Sequence, residues 1–131
     1  MGYDTLYPVP YEGGTIRRSL REGRVFLSRR SLICDEHPGA LWVKSHHVGG
    51  QLRELAEKGK LRPRRADWFR LCLLCNVPLR KATGDISMEN VPDHVLHHKG
   101  SGIRWCPACH RLFWPGTHQE NMIRQLEKWG F

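Results

Sequence analysis

The 131-residue sequence predicts a small α/β domain with a parallel sheet, followed by a zinc-ribbon module with a C-terminal helix. The N-terminal half alternates short β-prone runs with helical patterns, which is typical of a small parallel sheet. The C-terminal half contains two Cys-x-x-Cys pairs, and a module built on a bound metal needs little apolar core. We therefore expect an α/β domain at residues 1–60, a basic linker at 61–70 and a four-cysteine zinc ribbon with its helix at 71–131.

Five elements are predicted in the N-terminal half, in the order strand, helix, strand, strand, helix. The first helix has Ile16 and Leu20 four residues apart, and Gly23 follows its end. The second helix places Leu52 and Leu55 on one face, while the strands are rich in aromatic and β-branched residues. This order indicates parallel pairing of neighbouring strands. The five elements are residues 4–9, 14–21, 24–28, 41–44 and 49–58.

The rest of the chain is predicted to hold a linker, a polar segment and a final helix. Pro63 interrupts regular structure in the run KGKLRPRRADWFR at 58–70. The polar segment between the cysteine pairs contains several Pro and Gly residues and predicts loops and hairpins. The final helix is expected at 118–129, opened by Thr117 and Glu120 in the spacing of a capping box. Its apolar stripe is interpreted as a packing surface and consists of Met122, Ile123, Leu126 and Trp129.

Two cysteine pairs with two residues inside each pair are the strongest chemical signal in the sequence. Two intervening residues let one tight turn aim both sulfurs at one ion, and zinc prefers four tetrahedral thiolate or imidazole ligands. Four unrelated core cysteines are the alternative, which the doubled spacing disfavours. Because four ligands leave no open position for water activation, we expect a structural zinc. The predicted ligands are Cys72, Cys75, Cys106 and Cys109.

One further cysteine and two histidines need separate interpretation. Cys34 has no nearby partner, and we interpret it as a small buried apolar residue rather than a reactive thiol. His110 and His118 lie close to the second cysteine pair, so either can replace a cysteine as ligand. Since four thiolates already complete the shell, we expect both histidines to be surface or hydrogen-bonding residues.

The chain lacks the sequence features of a membrane or secreted protein. No run of about 18 apolar residues can span a bilayer, and the N-terminus has no basic and apolar secretory signal. We therefore expect a soluble, cytoplasmic protein without a membrane partner. Thiols stay reduced in that compartment, so paired cysteines indicate a metal rather than disulfides.

The composition is strongly basic, with 21 Lys and Arg against 13 Asp and Glu, a formal charge of +8 and a pI near 9.7. This balance favours a polyanionic partner, nucleic acid above all, although a merely soluble basic surface has the same composition. In the linker, arginines surround Trp68 and Phe69, so phosphate contacts and base stacking can combine there. A solvated linker whose aromatic residues pack into the ribbon is the alternative. The predicted nucleic-acid-binding residues are Arg62, Arg64, Arg65, Trp68 and Arg70.

Five segments carry a resemblance that covers nearly the whole chain: GYDT at 2–5, EGRVFLSR at 22–29, CLLCN at 72–76, VPDHVLHH at 91–98 and RWCPACHRLFWPGTH at 104–118. In this order they resemble the Mut-seven C-terminal RNase domain family. The resemblance implies a PIN-like nuclease fold, an α/β domain with metal-binding carboxylates, fused to a zinc ribbon. It also implies a strand and a helix with the first aspartate before GYDT, so the PIN-like domain is expected to be incomplete here.

The resemblance also implies where the acids of a nuclease site would lie. PIN-type hydrolysis needs several acids around one or two magnesium or manganese ions, which activate water and neutralise phosphate charge. By residue count a second acid falls on Glu12, whereas a third corresponds to Arg30 in the run Ser-Arg-Arg at 28–30. Because arginine repels a cation, magnesium or manganese is expected only if the site is active. The candidate catalytic residues are Glu12, Asp4 and Asp35, with Glu36 beside Asp35.

Three functions from different classes follow from these features. The preferred one is an RNA-binding protein with a zinc ribbon and a degenerate nuclease site. The second is an active metal-dependent endoribonuclease, and the third is a zinc-ribbon adaptor that docks on another protein. A sheet without its first strand would also expose an edge that can pair with a protein partner or a second copy of the chain.

Overall fold

The computed structural model describes residues 1–7, 13–83, 91–99 and 102–131. The chain divides into two compact units, which we describe separately. The α/β unit contains residues 6–62 and 130, and the cysteine unit contains residues 1–5, 63–129 and 131. The three segments predicted from the sequence stay a prediction. None of the helices in the described ranges has the length and apolar character needed to cross a bilayer.

The described part of the α/β unit holds three helices and a two-stranded parallel sheet, which confirms the predicted parallel pairing. Leu27 lies opposite Leu41, and Ser28 lies opposite Trp42. The predicted helices at 14–21 and 49–58 are confirmed within one residue at each end. The elements are α1 (Gly13–Arg21), β1 (Leu27–Ser28), α2 (Ser31–Glu36), β2 (Leu41–Trp42) and α3 (Val48–Glu57).

Three features of the N-terminal half differ from the prediction. Residues 4–7 of the predicted first strand have no regular structure, and the other two lie outside the described residues. The helix α2 was not predicted, because its six residues are too few to show a helical period. The strands are also shorter than the β-prone runs that predicted them.

Among the described residues, the core of the α/β unit is small and takes its buried side chains from α1, from α3 and from the segments that follow β2 and α3. Its buried apolar residues are Ile16 on α1, Val43 after β2, Leu55 on α3 and Leu61. The chain leaving β2 is fastened by Glu54, whose carboxylate accepts the amide of Lys44 at 2.8 Å and that of Ser45 at 2.7 Å. One carboxylate on α3 therefore satisfies two backbone donors that no strand partner reaches.

The cysteine unit contains a three-stranded antiparallel sheet in the order β3-β4-β5. Its core is formed by Val91, Val95 and Ile103, and partly buried Ala82, Leu112 and Trp114 pack against it. The elements are β3 (Arg80–Lys81), α4 (Asp93–Lys99), β4 (Arg104–Trp105), β5 (Leu112–Phe113) and α5 (Thr117–Lys128).

The helices of the cysteine unit correct the sequence analysis in two places. The helix α4 lies in the segment predicted as loops and hairpins, and its Val95 is buried. The helix α5 confirms the predicted final helix, but its N-cap is Gly116, and no side chain caps it. The capping box predicted from Thr117 and Glu120 is therefore wrong, because Thr117 already lies inside the first turn. The four residues of the apolar stripe are all partly buried.

We predict that Glu54→Gln lowers the thermal stability of the protein at neutral pH. The hydrogen bond from the Lys44 amide, opposed by burial and aided by the Ser45 amide, lowers the pKa of Glu54. A lowered pKa contributes stability above the unfolded pKa of about 4.3, and this contribution disappears as the pH falls through the folded pKa. The melting temperature should therefore fall in the variant at pH 7 and approach that of the wild type in acid.

The matched control is Glu57→Gln, which removes an exposed carboxylate from the same helix. Melting curves at pH 7 and at a series of lower pH values down to about pH 2 supply the comparison, because the contribution is lost only below the folded pKa. Equal melting temperatures for the two variants at pH 7 would contradict the role of Glu54.

Candidate metal centre

The two cysteine pairs form two knuckles with the same backbone geometry. In each knuckle the amide of the first cysteine donates to the carbonyl five residues later. The amide of the residue after the second cysteine donates back to the carbonyl of the first. All four bonds are 2.9 Å long, and they join Cys72 with Val77 and Asn76 in one knuckle and Cys106 with Arg111 and His110 in the other.

Each knuckle turns back on itself through one residue in the left-handed region. Asn76 has φ of 54° and His110 has φ of 58°, and both directly follow the second cysteine of their knuckle. This conformation costs a residue other than glycine roughly 1–2 kcal/mol, although Asn tolerates it better than most. The His110 ring stacks on Trp105 with centroids 5.9 Å apart, which gives this histidine a packing role in the knuckle.

The two knuckles bring four sulfur atoms together. All four lie within 4.8 Å of one another, and the Sγ atoms of Cys72 and Cys109 are 3.8 Å apart. Four thiolates about 2.3 Å from one tetrahedral zinc would lie about 3.8 Å from each other, so the sulfur spacing suits this ion. Cys72 and Cys106 are buried, and the other two sulfur residues are partly buried. The cluster can therefore hold one metal ion with a complete sulfur shell.

The pKa values of Cys75 and Cys106 are shifted in opposite directions within this cluster. Hydrogen bonding with the Cys109 thiol, followed by burial, raises the pKa of Cys75 to about 12. Burial acts to raise the pKa of Cys106 as well, but backbone amides of Cys109 and Ala108 bring it down to about 7. A neighbourhood that already stabilises one thiolate favours binding of a cation, because the metal-bound form of every ligand is the thiolate.

The remaining thiol and the second candidate histidine lie elsewhere. Cys34 is partly buried on α2, and burial followed by the charge of Asp35 raises the pKa of its thiol, as expected for an unreactive cysteine. His118 is exposed in the first turn of α5. Among the described residues, the four cysteines are the only group of three or more His, Cys, Asp or Glu side chains placed to share a metal.

The candidate nuclease residues are distributed between the units. Asp4 belongs to the cysteine unit, where its carboxylate accepts a hydrogen bond from the side-chain amide of Asn76 at the first knuckle. Asp35 and Glu36 are exposed on α2 of the α/β unit. Glu12 lies outside the described residues. The catalytic role of these acids stays a prediction, and the bond from Asn76 gives Asp4 a structural role at the knuckle.

Arg30 occupies the position at which the resemblance implies an aspartate, and Asp35 does not replace an acid there. Arg30 is the N-cap residue of α2, where Asp is among the most favourable residues, and its side chain makes no capping bond. Asp35 lies five residues further on, which on a helix is about 7.5 Å along the axis and about 140° around it. An acid at 35 therefore projects in another direction from an acid at 30.

Three arginines of residues 62–70, which we call the arginine segment, form ion pairs with carboxylates. Asp67 accepts the Arg64 Nε at 2.7 Å on one oxygen and the Arg70 Nη1 at 2.8 Å on the other. The hydrogen bond from Arg64 has the larger effect on the pKa of Asp67, and together with the bond from Arg70 it lowers this pKa. Arg65 pairs with Glu127 of α5, and its guanidinium lies 5.4 Å from the centre of the Trp68 ring.

Trp68 is buried, whereas a residue that stacks on a base exposes the face of its ring. The Trp68 side chain is 8% exposed, and its indole nitrogen is buried without a hydrogen-bond acceptor among the described residues. The Phe69 ring meets it edge-on at 6.4 Å and remains partly exposed. The burial of Trp68 counts against stacking on RNA and agrees with the alternative in which the linker tryptophan packs into the ribbon.

We predict that the purified chain binds one equivalent of zinc and that a chelator unfolds the cysteine unit. Binding of structural zinc contributes about 10–16 kcal/mol, which exceeds the net stability of many domains at about 5–15 kcal/mol. Cys106→Ser should lose the metal, whereas Cys34→Ser should keep it. Elemental analysis and the tryptophan fluorescence of both variants measure this. Less than about half an equivalent in the wild type, with fluorescence unchanged by chelator, would rule out the zinc centre.

Comparison with known proteins gives one clear result. A family model described as the Mut7-C RNAse domain matches residues 1–126 of the 131 residues. No curated protein and no solved structure gives a match. The match includes both knuckles and most of both units, and it confirms the resemblance found in the sequence. The chain is therefore a member of the Mut7-C RNAse domain family.

Proposed function

We propose that this chain is a zinc-stabilised, RNA-binding member of its family with a degenerate nuclease site. The observation that carries the proposal is a set of three exposed guanidinium groups on the cysteine unit, next to the first knuckle. The side chains of Arg64, Arg65 and Arg70 are 79%, 66% and 58% exposed. RNA is the polyanion that membership of an RNase family favours.

The ion pairs made by these arginines are compatible with phosphate binding. A guanidinium has five N–H donors, and Asp67 occupies only one donor of Arg64 and one of Arg70. Two cations share one anion, so the Asp67 group keeps a net positive charge. A phosphate can contact the remaining donors without displacing Asp67, and an ordered guanidinium loses less side-chain entropy on binding.

Zinc has a structural role in this proposal. Four cysteines complete a tetrahedral shell, so no ligand position remains for water or for an RNA phosphate. The ion joins the knuckle at Cys72, which follows the arginine segment, to the knuckle at Cys106 between β4 and β5. RNA binding is therefore expected to depend on zinc through folding alone.

The degenerate nuclease site is supported by the charge at the start of α2. Arg29 and Arg30 are exposed where the resembling family is expected to have an aspartate, and Arg29 also contacts the His46 ring. Two cations oppose the binding of a magnesium or manganese ion. The alternative proposal, an active enzyme, requires a PIN-like fold of the α/β unit and a metal site completed by Glu12.

A protein-binding adaptor has one observation in its favour. The two leucines inside the first knuckle, Leu73 and Leu74, are 70% and 63% exposed. Adjacent exposed leucines on a metal-stabilised turn can insert into a partner, but two residues are a small patch. The basic charge of the chain is not explained by this role, so RNA binding remains the preferred function.

We predict that replacing Arg64, Arg65 and Arg70 together by Ala weakens binding of single-stranded RNA. Each phosphate contact lowers log affinity by about 0.7 per decade of salt, so three lost contacts should reduce the slope by about 2. Fluorescence anisotropy of a labelled oligonucleotide at several salt concentrations measures both quantities. Zinc content and melting temperature must match those of the wild type.

The control for this experiment removes the same charge from the α/β unit. Arg17, Arg21 and Arg53 are exposed on its helices, and their replacement by Ala tests the effect of net charge alone. Equal losses of affinity and slope in the two triple variants would refute the assignment of the RNA contacts to the arginine segment.

We further predict that the chain cleaves single-stranded RNA poorly or not at all with magnesium or manganese. The reason is the positive charge at Arg29 and Arg30, which opposes a divalent ion beside a polyanion. Gel assays should compare both metals with buffer lacking either one, because a chelator would also remove zinc. Metal-dependent cleavage that disappears in Glu12→Gln would establish the endoribonuclease instead.

Arg30→Asp separates loss of charge from loss of geometry. Aspartate at the N-cap of α2 should stabilise the helix by about 1 kcal/mol, whatever happens to activity. A gain of metal-dependent cleavage in this variant would show that the scaffold keeps the nuclease geometry. A more stable but inactive variant would show that further ligands are missing.

A further inference from the structure

The cysteine unit contains a groove that the proposed arginine contacts do not explain. Its volume is about 1080 Å³, and it is bordered by the sheet, the Trp68 and Phe69 pair and the first turn of α5. Pockets for small ligands measure about 300–1,000 Å³, so this groove has room for a larger or extended ligand. Its walls combine aromatic rings with cations.

One row of the sheet places two cations side by side on the wall of this groove. Lys81 of β3 lies opposite Arg104 of β4, and Arg104 lies opposite Phe113 of β5. Directly opposed residues share a face of the sheet, and like charges in this position are destabilising. Both cations are exposed, and neither makes an ion pair or side-chain hydrogen bond with a described residue. An anion bound between them would relieve this repulsion.

The aromatic residues of the groove offer a surface for an unpaired base. Phe113 continues the row of the two cations, and Phe69 faces the same groove. Phe69 has φ of 55°, a strained conformation for a bulky residue, and such strain is concentrated at functional sites. Stacking on an aromatic ring accepts any base, whereas phosphate contacts follow the backbone.

The N-terminal end of α5 adds a weaker positive potential to the groove. Its first turn lines the groove, and its N-cap, Gly116, supplies no side-chain acceptor for the free amides. Glu120 in that turn carries the opposite charge and also lines the groove. Lys81 and Arg104 together outweigh this single carboxylate, so the groove remains complementary to an anionic chain.

We propose that this groove binds a single-stranded RNA segment, with a phosphate between Lys81 and Arg104 and a base against Phe113 or Phe69. The inference rests on the proposed RNA binding and adds a second contact surface to it. The combination of paired cations with an aromatic residue in one row favours RNA over an acidic peptide, because every nucleotide joins a phosphate to a flat base, whereas the Asp and Glu side chains of a peptide carry no ring.

The test uses the zinc-loaded full chain and a labelled 12-nucleotide oligouridine. Lys81→Ala with Arg104→Ala should weaken binding at least about tenfold and reduce the salt slope by about 1.4, for two lost phosphate contacts. Phe113→Leu should weaken binding about tenfold and leave the slope unchanged, because stacking releases no counterions. A duplex of equal length should bind more weakly than the single strand.

The control pair is Arg80→Ala with Arg111→Ala. Arg80 is the exposed neighbour of Lys81 on the same strand, and neither control residue lines the groove. Equal effects of the two pairs, while replacement of Arg64, Arg65 and Arg70 still weakens binding, would overturn the groove and leave the proposed function intact. No RNA binding by the wild type would overturn both. Polyglutamate that binds as tightly as oligouridine, with the same dependence on Lys81 and Arg104, would also overturn the RNA assignment.

Discussion

Four sulfur atoms within 4.8 Å of one another join two knuckles that are far apart in sequence, and the rest of the cysteine unit is arranged around them. The named strands of this unit have only two residues each, and its buried side chains among the described residues are Trp68, Cys72, Val91, Val95, Ile103 and Cys106. With strands this short and a core this small, the conformational entropy of ordering the segment calls for a further stabilising interaction. A metal ion bound by the four cysteines would supply this free energy, and the sheet and the start of α5 would then depend on the ion.

The features that could be predicted from the sequence are those that local chemistry determines. Cys72 and Cys75, like Cys106 and Cys109, need only a tight turn to become a pair of ligands, and their spacing encodes that turn. The helices α1, α3 and α5 each carry enough apolar residues to reveal a helical period. The six-residue α2 and the polar α4 do not, since α4 buries Val95 but is otherwise composed mainly of His, Asp and Lys.

The contacts of the arginine segment depend on residues that the sequence does not bring together. Arg65 pairs with Glu127, 62 residues away, and Trp68 is buried although it lies in a run of charges. The row formed by Lys81, Arg104 and Phe113 likewise depends on strand register. Strands of two residues are too short for an alternating pattern of polar and apolar residues to predict that register. The sequence alone therefore does not show that these side chains lie together.

The carboxylate of Asp67 has a consequence for how the chain would distinguish between polyanions. Because it accepts Arg64 on one oxygen and Arg70 on the other, it fixes the separation and the direction of two guanidinium groups. Cations on free side chains adapt to any arrangement of negative charge, but cations fixed in this way match only phosphates at a compatible spacing. In the proposed RNA complex, the pair would therefore favour a backbone whose phosphate spacing matches the separation of the two guanidinium groups. A polyanion with equal charge and a different repeat would engage one arginine at a time.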